Sequence, residues 1–237
     1  REAEKTYNLK TFAELKALSS FDFDAWLQGM GKDQSLLAEV SVMMPSFFEN
    51  IGKVLEEAGL ETVKLWIKSS LLRSSAAYLS DEFVNEKFDF YGRTLTGAEE
   101  IKERWKRGVS LVEAGMGEAV GQLYVERHFK PEAKAQMDKL VQYLIEAYRQ
   151  SIEQLDWMTD ETKQRALEKL SKFNPKIGYP EKWKDYSSIV INKDDLVENV
   201  RQLNIWEFEF EAKKIGATVD RDEWHMSPQT VNAYFNP

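Results

Sequence analysis

Between Pro131 and Leu155 the apolar residues keep the α-helical period without a miss. Met137, Leu140, Val141, Leu144, Ile145, Tyr148, Ile152 and Leu155 fall on one stripe. Such a stripe cannot lie in a strand, whose side chains alternate with period two. Pro131 suits the first helical position, where its missing N–H leaves no bond unmade.

The rest of the chain repeats this message with weaker stripes and clear punctuation. Thr11 reads as the N-cap of an early helix, and Phe21–Leu27 as a short helix closed at Gly29 or Gly31. Residues 30–38 form a polar, Gly-containing linker, and Val40–Met44 an extended entry before Pro45. Pro45 opens a helix running to Ala58, with Gly59 beyond its end. One helix is predicted over 61–86, with Val63, Ile67, Leu71 and Leu72 near one face, broken by Phe88–Gly92. Thr96-Gly97-Ala98-Glu99 matches a capping box and predicts the next helix start, ahead of Ile101, Trp105, Val109 and Val112. Thr159 caps a helix that ends at Asn174-Pro175. Ser187–Ile191 reads as a short strand at most, and Asn192 caps a last long helix with Lys213, Lys214 and Gly216 at its end. Trp26, Trp66, Trp105 and Trp157 read as core or helix-packing residues and not as a binding stripe. The fold class is mainly α.

Composition removes several function classes. A formal net charge of −8 argues against a nucleic-acid partner, because phosphate contacts need a basic surface. Val40–Pro45 is among the most apolar stretches and is far too short to span a bilayer. Zero Cys removes disulfides, thiolate metal ligands and cysteine nucleophiles. With no Asn-x-Ser/Thr sequon either, a cytoplasmic or bacterial secreted setting is favoured. Hydrophobic residues at 43% exclude a disordered tail.

The chemistry-bearing residues are sparse. Only His128 and His225 offer imidazoles, neither with a second His three or four residues away, and no His-Glu-x-x-His occurs. His128 reads as a helix-end or surface residue, and His225 as packing near the last segment. Glu207 and Glu211 share a helix face and read as solvated or paired with lysines. No Ser/His/Asp triad can be assembled. Gly115, Gly117 and Gly121 depart from G-x-G-x-x-G and follow no strand, which argues against a phosphate loop, and the small residues Ala119 and Gly121 predict close helix packing. Catalytic and metal-binding assignments are therefore none.

The last stretch, Val231-Asn232-Ala233-Tyr234-Phe235-Asn236-Pro237, is apolar, β-favouring and stopped by Asn-Pro, which predicts a short edge strand at the C-terminus. Such a strand pairs either with its own sheet or with an extended peptide, and Asn232 brings an amide that both donates and accepts.

This stretch resembles the Asn-Ala-aromatic-aromatic segment of the neprilysin family of zinc metalloendopeptidases. Other blocks resemble that family in the same order: Tyr7-Asn8 with the Thr11 helix, Glu118–Glu126, Leu155–Lys163, Ile177-Gly178-Tyr179-Pro180 and Asp222-Glu223-Trp224. The resemblance implies a helical cap lobe facing part of a thermolysin-like catalytic lobe. It divides the chain into 1–38 and 113–195 in the cap, and 39–112 and 196–237 in the catalytic lobe. It also implies that Asn232 and Ala233 bind the substrate backbone. The whole enzyme would hydrolyse peptides with zinc-activated water, its zinc helix lying beyond Pro237. This chain alone would then be a fragment that binds no zinc and is inactive. Its partners would be peptide substrates and the remaining catalytic segment of the same protein. The alternative is a stand-alone, non-catalytic helical binding module.

Overall fold

The computed structural model describes residues 3–235. They fall into two units: residues 3–101 with 211–215, and 102–210 with 216–235.

The first unit opens with α1 (Ala3–Thr6), β1 (Leu9–Thr11), α2 (Phe12–Leu18) and α3 (Phe23–Gly29). A 3-10 turn, Gln34–Leu37, leads into β2 (Glu39–Ser41). The strands pair antiparallel with Leu9 opposite Ser41, Lys10 opposite Val40 and Thr11 opposite Glu39. Asn8 extends the ladder: its carbonyl accepts from the Val42 amide at 2.8 Å, and its Nδ2 donates to the Val42 carbonyl at 3.0 Å. Thr11 begins α2 with a complete capping box. Its Oγ1 accepts from the Glu14 amide, and the Glu14 carboxylate accepts from the Thr11 amide at 2.8 Å. That amide, with the Thr11 hydroxyl, holds the Glu14 carboxyl below its ordinary range. Phe12, Leu15, Phe23, Leu27 and Val42 make the buried core, with Phe21, Val40 and Phe48 packed against it.

Beyond this core lie α4 (Pro45–Ala58), α5 (Leu60–Ser75) and α6 (Asp81–Phe88), the last running into a π turn at Asp89–Thr94. Pro45 and Gly59 bound α4 as the sequence predicts, Gly59 with φ +75. The single helix expected over 61–86 is instead α5 and α6 separated by a 3-10 turn at Ala76–Tyr78. Thr96 caps nothing. Its hydroxyl donates to the Gly92 carbonyl, and Gly97, with φ +71, donates its amide to the Arg93 carbonyl. The Thr96-Gly97 pair therefore closes the preceding turn, because glycine takes the left-handed conformation that ends a helix.

The second unit holds α7 (Arg104–His128), α8 (Pro131–Gln154), α9 (Asp160–Ser171) and α10 (Leu196–Ala212), whose last two residues count with the first unit. Pro131 occupies the first turn of α8, and the Thr159 hydroxyl accepts from the Thr162 amide at the start of α9. Asn192 does not cap α10. Its Oδ1 accepts from the Asp194 amide in a local turn, and Asp195 takes the cap, its carboxylate accepting from the Glu198 amide at 3.0 Å. Residues 187–191 form no strand.

The C-terminal edge strand is likewise not formed. Val231–Phe235 carry no ladder, and the expected Asn236 and Pro237 lie outside the described residues. The physical reason is local: the Thr230, Asn232 and Ala233 amides are taken by the Ser227 carbonyl, the Thr230 carbonyl and the Asn232 side chain. Amides engaged this way are not available to a strand partner.

The tryptophans and helical stripes also depart from the sequence reading. Trp26, Trp66, Trp105 and Trp157 are exposed, as are Leu140, Leu144 and Tyr148 on α8. The accessible surface is 18463 Å². A compact monomer of this mass would show about 11,000 Å², and two separate compact halves about 13,000 Å². These apolar stripes have the right period and no covering layer among the described residues.

Candidate functional site

The segment that bears Asn232 and Ala233 is held by a break in α7. At Met116 the backbone leaves the helical region, with φ −140 and ψ 34, between Gly115 and Gly117. Glycines on both sides lower the cost of interrupting the helix there. The same glycines admit close neighbours. A Cβ on Gly115 would lie 2.7 Å from Leu203 Cδ1 of α10, and one on Gly121 would lie 2.6 Å from Pro228 Cδ. The close approach predicted at Gly121 is present, although its neighbour is a turn and not a helix.

That turn is Ser227-Pro228-Gln229-Thr230. Pro228 takes its second position, and the Thr230 amide donates to the Ser227 carbonyl at 3.0 Å. Glu113, one turn before the break, gathers it. The Ser227 hydroxyl donates to Glu113 Oε1. Gln229 Nε2 donates to the Glu113 carboxylate, 2.8 Å from each oxygen, and to the Gly117 carbonyl at 2.9 Å. Three acceptor atoms around one nitrogen fix the amide's orientation. Gln229 Oε1 is left buried with no hydrogen-bond partner among the described residues.

Past this turn the chain is exposed. The Asn232 amide donates to the Thr230 carbonyl at 3.1 Å, and Asn232 Oδ1 accepts from the Ala233 amide at 2.8 Å. Asn232 Nδ2 and the Ala233 carbonyl make no hydrogen bond among the described residues. The flanks are pinned by rings. His225 and Tyr234 meet edge to face at 6.1 Å, with the His225 amide 3.4 Å from the Tyr234 hydroxyl. Phe235 stacks on Phe173 at 5.8 Å.

On the other side of the break lies Glu118, the one charged side chain buried among the described residues. Its carboxylate accepts from the Lys184 amide at 3.0 Å and lies 3.5 Å from Lys184 Nζ. Tyr186 sits beside it, its ring 4.5 Å from that of Trp206. Burial first, and then the charge of Glu118, push the Tyr186 phenol up to about 12.

Of the residues singled out in the sequence, the structure brings Asn232 and Ala233 together with His225 through Tyr234. His128 is elsewhere, exposed at the end of α7 with its ring 5.2 Å from Tyr124. Glu211 pairs with Lys214. No three His, Asp or Glu side chains gather as a metal-ion site among the described residues. The donor set of the described residues does not fit a zinc centre, and no step through a metal is derived from it. Glu113 and Gln229 escape sequence reasoning, since they meet across 116 positions; only Ser227-Pro228 carries a local turn signal.

The sequence model of Peptidase family M13 matches residues 1–180. The fold agrees: zinc metalloprotease Zmp1 of Mycobacterium tuberculosis, in complex with an inhibitor, superimposes with a TM-score of 0.91 at 48% identity. That match covers 100% of this chain and 36% of the other. The chain belongs to peptidase family M13. Its curated relatives include Neprilysin-2 of Drosophila melanogaster, 27% identical over 100% of this chain and 34% of that protein. Neutral endopeptidase of Lactobacillus helveticus is 30% identical over 98% of this chain and 36% of its own length. The neprilysin-family resemblance read in the sequence is thus borne out, and the chain spans about a third of the length of these relatives.

Proposed function

We propose that this chain forms part of a zinc metalloendopeptidase and supplies the segment that holds the peptide substrate. Asn232 hydrogen-bonds the substrate backbone through its side-chain amide, and Ala233 presents its main-chain carbonyl to a peptide lying alongside. The observation that carries this reading is the pair of exposed groups, Asn232 Nδ2 and the Ala233 carbonyl, that no other group engages among the described residues. A donor and an acceptor on neighbouring residues match the alternating groups of an extended peptide. Family membership and the zinc metalloprotease Zmp1 as structural relative support the reaction class. In the whole enzyme a bound zinc would supply the hydrolytic chemistry. The ligands for it would come from sequence outside these 237 residues.

The same reading makes the rest of that protein the chain's main partner. The uncovered apolar stripes on α5, α7 and α8 support this, since surfaces of that extent are normally buried against protein. The cap lobe would comprise 1–38 and 113–195, and the catalytic lobe 39–112 and 196–237. The net charge of −8 supports peptide and not nucleic-acid substrates. No described helix is long and apolar enough to cross a membrane. A non-catalytic binding module is the weaker reading, because the relatives named above are peptidases.

The test is to read the coding sequence past Pro237. A His-Glu-x-x-His in the same frame, followed by a Glu-x-x-x-Asp helix, is expected. A stop codon directly after Pro237 would overturn the proposal in favour of the binding module.

A further inference from the structure

We propose that Glu113 is a positioning residue for peptide binding, acting through Ser227 and Gln229 on the segment that carries Asn232 and Ala233; this rests on the function proposed above. Glu113 lies on α7 and touches neither Asn232 nor Ala233. It holds both anchoring side chains of the turn just ahead of them: the Ser227 hydroxyl donates to one carboxylate oxygen, and Gln229 Nε2 lies 2.8 Å from both.

The arrangement is specific to a carboxylate. Every group pointing at Glu113 is a donor, and an ionised carboxylate offers only acceptors. The second hydrogen of Gln229 Nε2 is committed to the Gly117 carbonyl at 2.9 Å, so the amide cannot turn over without placing its oxygen against that carbonyl. Gln229 Oε1 stays buried and unpartnered, a cost borne to keep the nitrogen facing Glu113 and Gly117. On the other side, Pro228 closes on Gly121, where even a Cβ would be 2.6 Å from its ring. The turn is thereby gripped at three consecutive residues by one stretch of α7. The exposed residues that follow take their starting position and direction from it.

The test uses the full-length peptidase with a short peptide substrate, comparing wild type, Glu113→Gln, Asn232→Ala and the double variant. Glu113→Gln keeps the volume but turns one acceptor oxygen into a donor facing donors. KM is expected to rise about tenfold, the scale for leaving a buried hydrogen-bonding group unpaired, with kcat changing less. Zinc content, measured on the same samples, is expected to stay at the wild-type value, and melting to fall by no more than a few degrees, so that the enzyme is fully folded at the assay temperature. The decisive readout is coupling: because Glu113 acts through the Asn232 segment, Glu113→Gln should raise KM far less in the Asn232→Ala background. A raised KM for Asn232→Ala with wild-type kinetics for Glu113→Gln overturns the inference alone. Fully additive effects do the same, as does a Glu113→Gln loss that follows lost zinc or unfolding at the assay temperature. An unchanged KM for Asn232→Ala overturns the substrate reading, and the inference with it.

Discussion

Gln229 Nε2 lies 2.8 Å from both carboxylate oxygens of Glu113, 116 positions earlier in the chain. This contact joins a broken helix to the turn that launches the exposed segment at the chain's end. It is possible only because α7 has no side chain at Gly121, where Pro228 approaches. Gly121→Ala is therefore expected to cost about 1–3 kcal/mol by overpacking against a rigid ring. Gly117→Ala is the control. Its Cβ would meet Ser227 Cβ at 3.4 Å, an ordinary contact. A change of less than ~1 kcal/mol is expected there, since alanine's better helix propensity opposes any crowding. Urea midpoints of the two variants check the difference; equal losses would contradict the geometry.

Thr11 caps α2 at the point where β1 ends, so it serves the sheet and the helix together. Thr11→Ala is expected to lower stability by about 1 kcal/mol, the usual cost of an N-cap. Thr11→Ser should lose much less, since the accepting hydroxyl survives. Chemical denaturation of both variants checks this.

Tyr186 gives a pH signature. Its phenol is pushed from 10.0 up to about 12, by burial first and by the charge of Glu118 second. The folded state thus holds this proton more tightly than the unfolded state. The stabilisation is fully present below pH ~10 and falls as pH rises from there toward about 12. Ultraviolet titration of the phenolates should show a step near pH 12, and Tyr186→Phe should remove it. Glu118→Gln should move the step to lower pH, because the repelling charge is gone.

The accessible surface of 18463 Å² has a direct consequence for the 237-residue chain on its own. Apolar stripes left open on α5, α7 and α8 should bind a hydrophobic dye strongly and drive self-association. Light scattering over a concentration series measures the second effect. The same dye should bind the full-length protein weakly, and equal binding by both would contradict the covering-layer explanation.

What the sequence discloses follows from how local each signal is. Thr11, Pro45, Gly59, Pro131 and Thr159 mark helix ends correctly because their chemistry acts within one turn. Thr96-Gly97 misleads because the same residues suit the end of a turn as well as the start of a helix, and Gly97's φ of +71 decides for the end. The stripes of α5 and α8 are legible as helices, but periodicity says nothing about what covers them, so Trp66, read as a core or helix-packing residue, and Leu144 on the α8 stripe are both exposed. Gly121 announces close approach without naming Pro228 as the neighbour. Asn232 and Ala233 enter through family resemblance. Glu113 has no local signature at all, because its importance comes from residues more than a hundred positions away.

The central claim is that this chain is the peptide-holding part of a zinc metalloendopeptidase. Its most direct test is to purify the full-length protein and measure bound zinc together with cleavage of a short peptide, before and after chelation. The account predicts stoichiometric zinc, cleavage lost on chelation and regained when zinc returns. Cleavage that persists without metal, or a protein that binds no zinc and cleaves nothing, would contradict it.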